Sequence, residues 1–170
     1  MGAEEKAKSD NYIQLKDNVN ILRLGIKDKD GNDTGNYLEF DLEDIELPIK
    51  YQTIIEEDKK AQTSLKNKLI IIEKQQDHKG KKLLSYKEEA KIKAIQEFYN
   101  REIELYNMFL GENGVQKLLN GRKVNWTIFQ EINEIIKVYI LPKLEEKKIN
   151  IQDQIINKYS ENQKRDDVIE

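Results

Sequence analysis

The sequence contains no cysteine, which excludes both a disulfide framework and a metal site built on thiolates. It also contains only one histidine, His78, so neither a histidine-rich metal site nor a catalytic triad can be assembled around several imidazoles. The lysines near His78 in the sequence favour a surface loop for this residue.

Long hydrophobic runs are absent too, because no stretch approaches the ~18 apolar residues that a membrane-spanning helix needs. The first residues, 1–5, are not followed by the apolar stretch of a secretory signal. The net charge of −3 gives no general affinity for nucleic acid or for an anionic membrane. We therefore expect a soluble, intracellular protein that binds neither.

The shares of hydrophobic and charged residues favour long helices with one buried face. Hydrophobic residues make up 38% of the chain and charged residues 36%, which suits helices that each bury only a stripe. A length of 170 residues is enough for one domain with a core. We expect a single domain over residues 19–159, between a flexible N-terminus at 1–18 and a flexible tail at 160–170.

A β-hairpin is predicted at the start of this domain. Apolar residues alternate with other residues in two segments, as in half-buried strands: Leu22, Leu24 and Ile26 in 19–26, then Leu38, Phe40 and Leu42 in 37–42. The segment 27–36 between them is dense in Asp, Asn and Gly, which favour turns. A lone hairpin is marginal in water, so we expect its apolar face to lie on helices.

Two long helices follow, and we predict that they form an antiparallel pair. Pro48 suits the first helical turn, and an apolar seam with helical spacing extends from Tyr51 to Ile72 in a helix over about 49–76. Ser85 and Glu88 have capping-box spacing and start a second helix that ends at Leu110. Its apolar stripe comprises Tyr86, Ala90, Ala94, Ile95, Phe98, Tyr99, Ile103, Tyr106, Phe109 and Leu110.

After this helix, two further helices are predicted, each preceded by a break. Gly111 and Gly114 bound a turn, a short helix covers 115–119, and Asn120-Gly121 closes it. Asn125 is the predicted N-cap of a last helix whose buried side is Trp126, Phe129, Ile132, Ile136, Tyr139 and Ile140. Pro142 predicts a kink or a break there. The fold class is therefore mainly α with an N-terminal β-hairpin (α+β).

Charge is unevenly distributed along the chain. Residues 28–58 contain 11 acidic and two basic side chains, whereas residues 59–93 contain 11 lysines and four acids. Such a split can steer one copy's acidic end towards another copy's basic helices, or a partner towards either. It is equally compatible with a solvated helix pair that has no partner.

The sequence offers no recognisable catalytic or cofactor site. Positions of a calcium loop are matched by Asp28, Asp30, Asn32, Thr34, Asn36 and Glu39, but Asp33 replaces the required glycine, and a hairpin tip accounts for the same residues. No aromatic residue is interleaved with the lysines around His78 to stack on bases. Nothing in the sequence indicates that two carboxylates share a pocket, as general acid–base catalysis would need. We expect no metal, no cofactor and no enzymatic activity.

The segment 110–122, LGENGVQKLLNGR, followed by Asn125 and an aromatic helix ending in YILP at 139–142, resembles the small tail assembly chaperones of long-tailed phages and prophages of Gram-positive bacteria. The strand YLEFD at 37–41, leading into a helix, belongs to the same resemblance. The likeness covers about 37–143. Asn113 inside the turn and Leu119-Asn120 before the final glycine depart from the family pattern.

The resemblance implies a non-enzymatic assembly factor in the host cytoplasm that coats the tape-measure protein and recruits tail-tube subunits. It implies a hydrophobic partner-binding groove, which we expect to be lined by Phe109, Leu118, Leu119, Trp126 and Phe129. Ordinary core packing is the competing interpretation for Trp126 and Phe129. The alternative function is a structural or host-directed phage protein that self-assembles through its long helical pair.

Overall fold

A computed structural model describes residues 20–166, with the side chains of 149–151, 154 and 158–166 left out of the description. It is mainly helical and begins with a two-stranded antiparallel sheet, which confirms the predicted α+β class. The elements in order are β1 Ile21–Lys27, β2 Asp33–Asp41, α1 Leu47–Glu73, α2 Tyr86–Leu110, α3 Gly114–Leu119, α4 Trp126–Ile135, a π-helix at Ile136–Ile140, and α5 Leu141–Asp166.

The domain limits remain predictions. The predicted flexible N-terminus lies outside the described residues, as do residues 167–170. Helix α5 extends to Asp166 and so includes the first part of the segment predicted as a tail.

The hairpin has a shorter tip than the sequence indicates, because β2 already begins at Asp33. Gly25 pairs with Tyr37, whereas Lys27 pairs with Asp33, so residues 34–36 bulge opposite Ile26. The Thr34 hydroxyl donates to the Ile26 carbonyl at 2.7 Å and holds this bulge in place. A bulge interrupts the alternation of side chains, so the sequence pattern predicts a turn where the structure has the start of β2.

The tip itself is organised by the side chain of Asp28. Its Oδ1 atom accepts hydrogen bonds from the backbone N–H groups of Asp30 and Asn32, each at 2.9 Å. The bond from the Asn32 backbone is the main cause that lowers the pKa of this carboxyl group. The calcium-loop residues thus include one carboxylate that already serves as a turn acceptor.

Both predicted helix starts are confirmed in detail. Pro48 lies in the first turn of α1. Ser85 Oγ accepts from the Glu88 backbone N–H at 3.2 Å, and the Ser85 N–H donates to Glu88 Oε2 at 2.7 Å, which completes the capping box of α2. Helices α1 and α2 pack along each other, and the Arg101–Glu57 ion pair at 2.9 Å joins their exposed flanks.

The core forms where the hairpin lies on the helices. Leu38, Phe40 and Leu42 are buried as predicted, in one hydrophobic cluster with residues from the C-terminal half of α2. The largest fully buried apolar side chains come from four parts of the chain: Leu38, Phe40, Ile54, Val115, Ile136 and Ile140.

Three aromatic residues predicted in buried stripes are exposed instead. Tyr86 is 58% exposed because it starts α2 at the end farthest along the helix from the hairpin-covered core. Trp126 is 42% exposed and Tyr139 58%. From α4 into the π-helix buried isoleucines recur every four positions, at Ile128, Ile132, Ile136 and Ile140, with Phe129 buried beside the first of them. This period is longer than that of an α-helix and turns Tyr139 towards solvent.

The turn between α2 and α3 uses backbone conformations that few residues adopt. Gly111 has φ 86° and ψ −179°, and Asn113 has φ 55°. The Asn107 side chain bridges the turn: its Oδ1 accepts from the Val115 N–H at 2.8 Å and its Nδ2 donates to Gln116 at 3.1 Å. These contacts fix α3 against the end of α2.

The last helical segment begins as predicted, with Asn125 Oδ1 accepting from the Ile128 N–H at 3.2 Å. The π-helix then immediately precedes α5, in which Pro142 is the second residue. Proline has no N–H to donate to the preceding turn, so a local change of hydrogen-bonding pattern is reasonable here. A kink at Pro142 remains a prediction.

Two glycine variants test the special role of Gly111. Gly111→Ala should lower the free energy of unfolding by about 1–3 kcal/mol, because its φ/ψ region is open almost only to glycine. Gly25→Ala is the matched control, since neither added Cβ has a neighbour within 4 Å but Gly25 lacks the positive φ. Urea denaturation measures both, and equal losses in the two variants would contradict this role.

Candidate functional site

An apolar groove lies between the hairpin on one side and α3, α4 and the π-helix on the other. Its volume is about 490 Å³. Its apolar lining consists of Leu24, Ile26, Leu38, Leu118, Leu119, Ile128, Ile132, Ile135 and Tyr139. The groove exists because a two-stranded sheet is too narrow to cover both the end of α2 and the flank of α4.

Charged groups border this groove. Arg23, Lys27 and Arg122 line it, opposed by the single acid Glu131. Arg23 is held in place by a hydrogen bond from its Nε to Glu39 at 2.8 Å and by the Tyr37 ring, 4.0 Å from the guanidinium carbon. Because Arg23 is already paired with Glu39, Lys27 and Arg122 against Glu131 leave a small excess of positive charge at the edge, which favours an occupant with acidic side chains beside an apolar face.

Of the five predicted partner-binding residues, the structure brings two into the groove. Leu118 is half-buried and Leu119 is 6% exposed, and both line it. Phe109 and Phe129 are buried in the core, at 3% and 7% exposure. Trp126 lies outside the groove, where its ring stacks on Phe98 with centroids 5.6 Å apart.

Sequence analysis missed most of the groove. Leu24 was assigned to the buried face of the hairpin, yet it is only partly covered. The predicted buried side of the last helix includes Ile136 but not its neighbour Ile135. Two adjacent isoleucines nevertheless indicate an apolar stripe wider than one residue. The available signal was therefore the width of the α4 stripe.

A second unusual feature is Glu102, a carboxyl side chain with 0% exposure in the middle of α2. Phe98 and Tyr106 lie one helical turn before and after it, on the same face. As a carboxylate it finds no hydrogen-bond donor among the described residues, whereas a protonated Glu102 can donate to the Asp58 side chain. Such a group is costly to bury, so it is either neutral or compensated by a charge.

Burial raises the pKa of Glu102 to about 8, and the charge of the nearby Asp58 carboxylate adds to the effect. A hydrogen bond between the Glu102 and Asp58 side chains raises this pKa further, because the bond is made only while Glu102 keeps its proton. At neutral pH Glu102 is therefore mainly protonated. Glu102 was not singled out from the sequence, although an acid spaced four residues from each of two aromatics, Phe98 and Tyr106, was an available signal.

No protein-family profile matches the chain, and neither the curated proteins nor the solved structures contain a significant match. Within residues 20–166, no helix is long and apolar enough to cross a membrane. In the same part of the chain, no three histidine or acidic side chains are grouped so that they could hold a metal ion. The site's function must therefore be argued from its own geometry.

Glu102→Gln tests the buried acid through the pH dependence of stability. The pKa is raised from its ordinary value of 4.5 to about 8 by folding, so the unfolded chain loses this proton first and stability falls as pH rises between these values. The cost to the free energy of unfolding at pH 7 is on the order of 3 kcal/mol. The amide stays neutral, so the variant should be the more stable protein at neutral pH and should lack this slope.

Urea denaturation at several pH values between 4.5 and 8 measures this difference. Glu104→Gln is the matched control, because Glu104 is exposed on the same helix. If both variants followed the parent's pH dependence, Glu102 would not be the group responsible.

Proposed function

We propose that this protein is a non-enzymatic tail assembly chaperone of a long-tailed phage or prophage, and that it binds the tape-measure protein through the apolar groove. Recruitment of tail-tube subunits belongs to the same proposal. The resemblance in 110–122 names the family, and the groove beside α3 is the observation that supports it, because Leu118 and Leu119 of that motif line it.

The groove suits the apolar face of an amphipathic helix. Aliphatic side chains of β1, α3 and α4 form its floor and walls, and helix-in-groove recognition uses anchors spaced three or four residues apart. The cations Lys27 and Arg122 at its edge complement acidic residues that flank such a face. A long helical client with apolar stripes presents many of these faces in succession.

Weak single contacts are sufficient for this role. A client that offers repeated sites gains avidity when several copies bind side by side, without tight binding at any one site. A chaperone that must leave the finished tail benefits from contacts that are individually reversible. A groove that is open and only partly apolar at its rim fits this requirement.

The double variant Leu118→Gln/Ile135→Gln tests the groove. Both side chains are half-buried in its lining, so the amides keep access to water while the apolar anchors are lost. We expect co-expression with the tape-measure protein of the same genome to yield at least about tenfold less soluble complex, equivalent to ~1.4 kcal/mol. Pull-down through a tag on the client measures it.

Val138→Gln is the matched control, since Val138 is 60% exposed and lies outside the groove lining. The control should capture the client like the parent protein. Circular dichroism and urea denaturation establish that all variants are folded. Equal capture by the double variant and the control would contradict the groove, and no capture by the parent would contradict the chaperone proposal.

The alternative is a self-assembling structural or host-directed phage protein, and the ends of the helical pair favour it. The loop between α1 and α2 carries exposed Lys79, Lys81 and Lys82 next to Leu83, which is 89% exposed. The opposite end, around the hairpin and the start of α1, holds the acidic residues of 28–58 together with Ile45, 76% exposed. Complementary ends of this kind favour head-to-tail contacts between copies.

Sedimentation at low and high salt separates the two functions. For the alternative, we expect oligomers of the protein alone that dissociate as salt screens the charges. A further variant, Leu83→Gln with Lys81→Glu and Lys82→Glu, should then abolish the oligomers. For the chaperone, the same variant should still bind the client, because none of its changes touches the groove.

A further inference from the structure

One edge of the hairpin is unpaired and lies along the apolar groove. Among residues 20–166 the sheet has two strands, so β1 has a partner strand on one side only. Five consecutive residues of β1, from Arg23 to Lys27, line the groove. Side chains of a strand alternate between its two faces, so a groove that meets all five runs along the edge of the strand. One wall of the groove is therefore backbone that can accept another strand.

The register of the hairpin decides which backbone groups point towards this edge. The Leu42 N–H donates to the Asn20 carbonyl at 3.0 Å, so these two residues form a hydrogen-bonded pair of the ladder. Such pairs alternate with non-hydrogen-bonded pairs, and the register is regular from Ile21 to Gly25. The N–H and C=O groups of Ile21, Arg23 and Gly25 therefore point away from β2, where a third strand would pair with them.

The side chains of β1 also leave room for a neighbour. Leu22 and Leu24, on the face towards the helices, are only partly buried. On the opposite face, Gly25 has no positive φ, and a Cβ added to it would meet nothing within 4 Å. Neither its conformation nor packing against the described residues requires a glycine at this position. A glycine inside a strand often marks a place where another backbone approaches closely.

The chain has a segment with the pattern that this edge needs. Residues 1–19 precede the described part of the chain and contain YIQLK at 12–16. Ile13 and Leu15 alternate there with polar or aromatic residues, which is the period of a half-buried strand. The next four residues, DNVN at 17–20, include three that favour turns, and four residues are a common length for a hairpin loop.

We propose that residues 12–16 form a third strand, which pairs antiparallel with the free edge of β1 and covers the apolar groove. The segment is tethered to the strand that it covers, so it is present at a high effective concentration without any partner protein. The flexible N-terminus predicted at 1–18 is thereby shortened to 1–11.

The loop length sets the register of this third strand. With four residues in the loop, Tyr12 faces Gly25 and Ile13 faces Leu24. Ile13 and Leu15 then lie on the same side of the sheet as Leu24, where apolar side chains line the groove. Tyr12 lies on the outer face, where its ring covers the glycine, an arrangement that stabilises strands containing glycine.

A disulfide trap tests the strand and its register, because the chain has no cysteine of its own. Tyr12→Cys with Gly25→Cys places two cysteines opposite each other, with Cα atoms about 5.5 Å apart and within reach of a disulfide. Tyr12→Cys with Tyr37→Cys is the matched control, since Tyr37 pairs with Gly25 from β2 and so lies one strand farther away. Two strand spacings are roughly 9.5 Å, too far for a disulfide.

We expect mild oxidation of the folded protein to form an intramolecular disulfide in the first pair at least about tenfold faster than in the control. Equal rates in the two pairs would overturn the proposal, because a segment without a fixed position reaches either cysteine. Disulfide-linked dimers in place of cross-linked monomers would overturn it as well, since they assign the strand to a second copy.

Two further variants separate the faces of the segment. Ile13→Asp and Gln14→Asp, each added to the first cysteine pair, introduce the same side chain and charge, but only residue 13 faces the apolar lining in this register. We expect Ile13→Asp to lower the cross-linking rate to that of the control, and Gln14→Asp to leave it within about twofold of the unmodified pair. Equal losses in both variants would contradict the orientation of the strand.

Amide hydrogen exchange gives a second measure that needs no cysteine. The N–H groups of Arg23 and Gly25 donate to the third strand in this register, so they should exchange at least about tenfold more slowly in the parent protein than in Ile13→Asp. Unchanged exchange within α2 would show that the variant is folded. Fast exchange of both groups in the parent would contradict the strand.

The third strand also controls access to the groove, a step that rests on the chaperone function proposed above. A client must displace the segment, so Ile13→Asp should capture at least about threefold more client than the parent in the co-expression pull-down, and Gln14→Asp an equal amount. Unchanged capture with the expected cross-linking would support the strand and contradict only its control of access. No capture by the parent or by either variant would instead contradict the chaperone function.

Discussion

Burial of the hairpin on the helices is the interaction on which the rest of the structure depends. Phe40 lies against Phe109 with ring centroids 5.6 Å apart, and Phe109 also contacts Tyr51 at 5.8 Å. These three rings tie β2, α2 and α1 together. Two strands alone are marginal in water, and α1 and α2 without the hairpin would expose their most apolar surface. Each part therefore acquires a stable conformation only with the other.

The same constraint produces the groove. The hairpin has an apolar face only two strands wide, and Phe40 and Leu38 use it to cover the helices around Phe109. The space between the hairpin and α4 is then bridged by the six residues of α3. This helix is too short to fill the space, and it contributes only Leu118 and Leu119 to the lining. An opening lined by β-strand, short helix and long helix follows from these dimensions. Either apolar side chains of another segment or another polypeptide fill this opening, or its apolar lining stays exposed to water.

Local signals predicted the elements well, and long-range packing decided what they missed. The capping box at Ser85 and the N-cap at Asn125 are contained in a few adjacent residues, so sequence reasoning found them. The prediction that Tyr139 is buried is wrong because the π-helix lengthens the period of the buried stripe. No residue near it in the sequence indicates that change. The groove and Glu102 depend on which helices meet, a relation between residues far apart in the chain. A hydrophobic pattern alone does not contain it.

Glu102 is difficult to explain by stability alone. Leu105 and Tyr106, in the next turn of α2, are buried apolar or aromatic residues, and a leucine at 102 would continue the same stripe without a carboxyl group to desolvate. An acid in this position costs stability at neutral pH, and the Asp58 carboxylate on the facing helix increases that cost. Proteins retain such violations of local packing rules mainly where a ligand, a proton or a second state uses them.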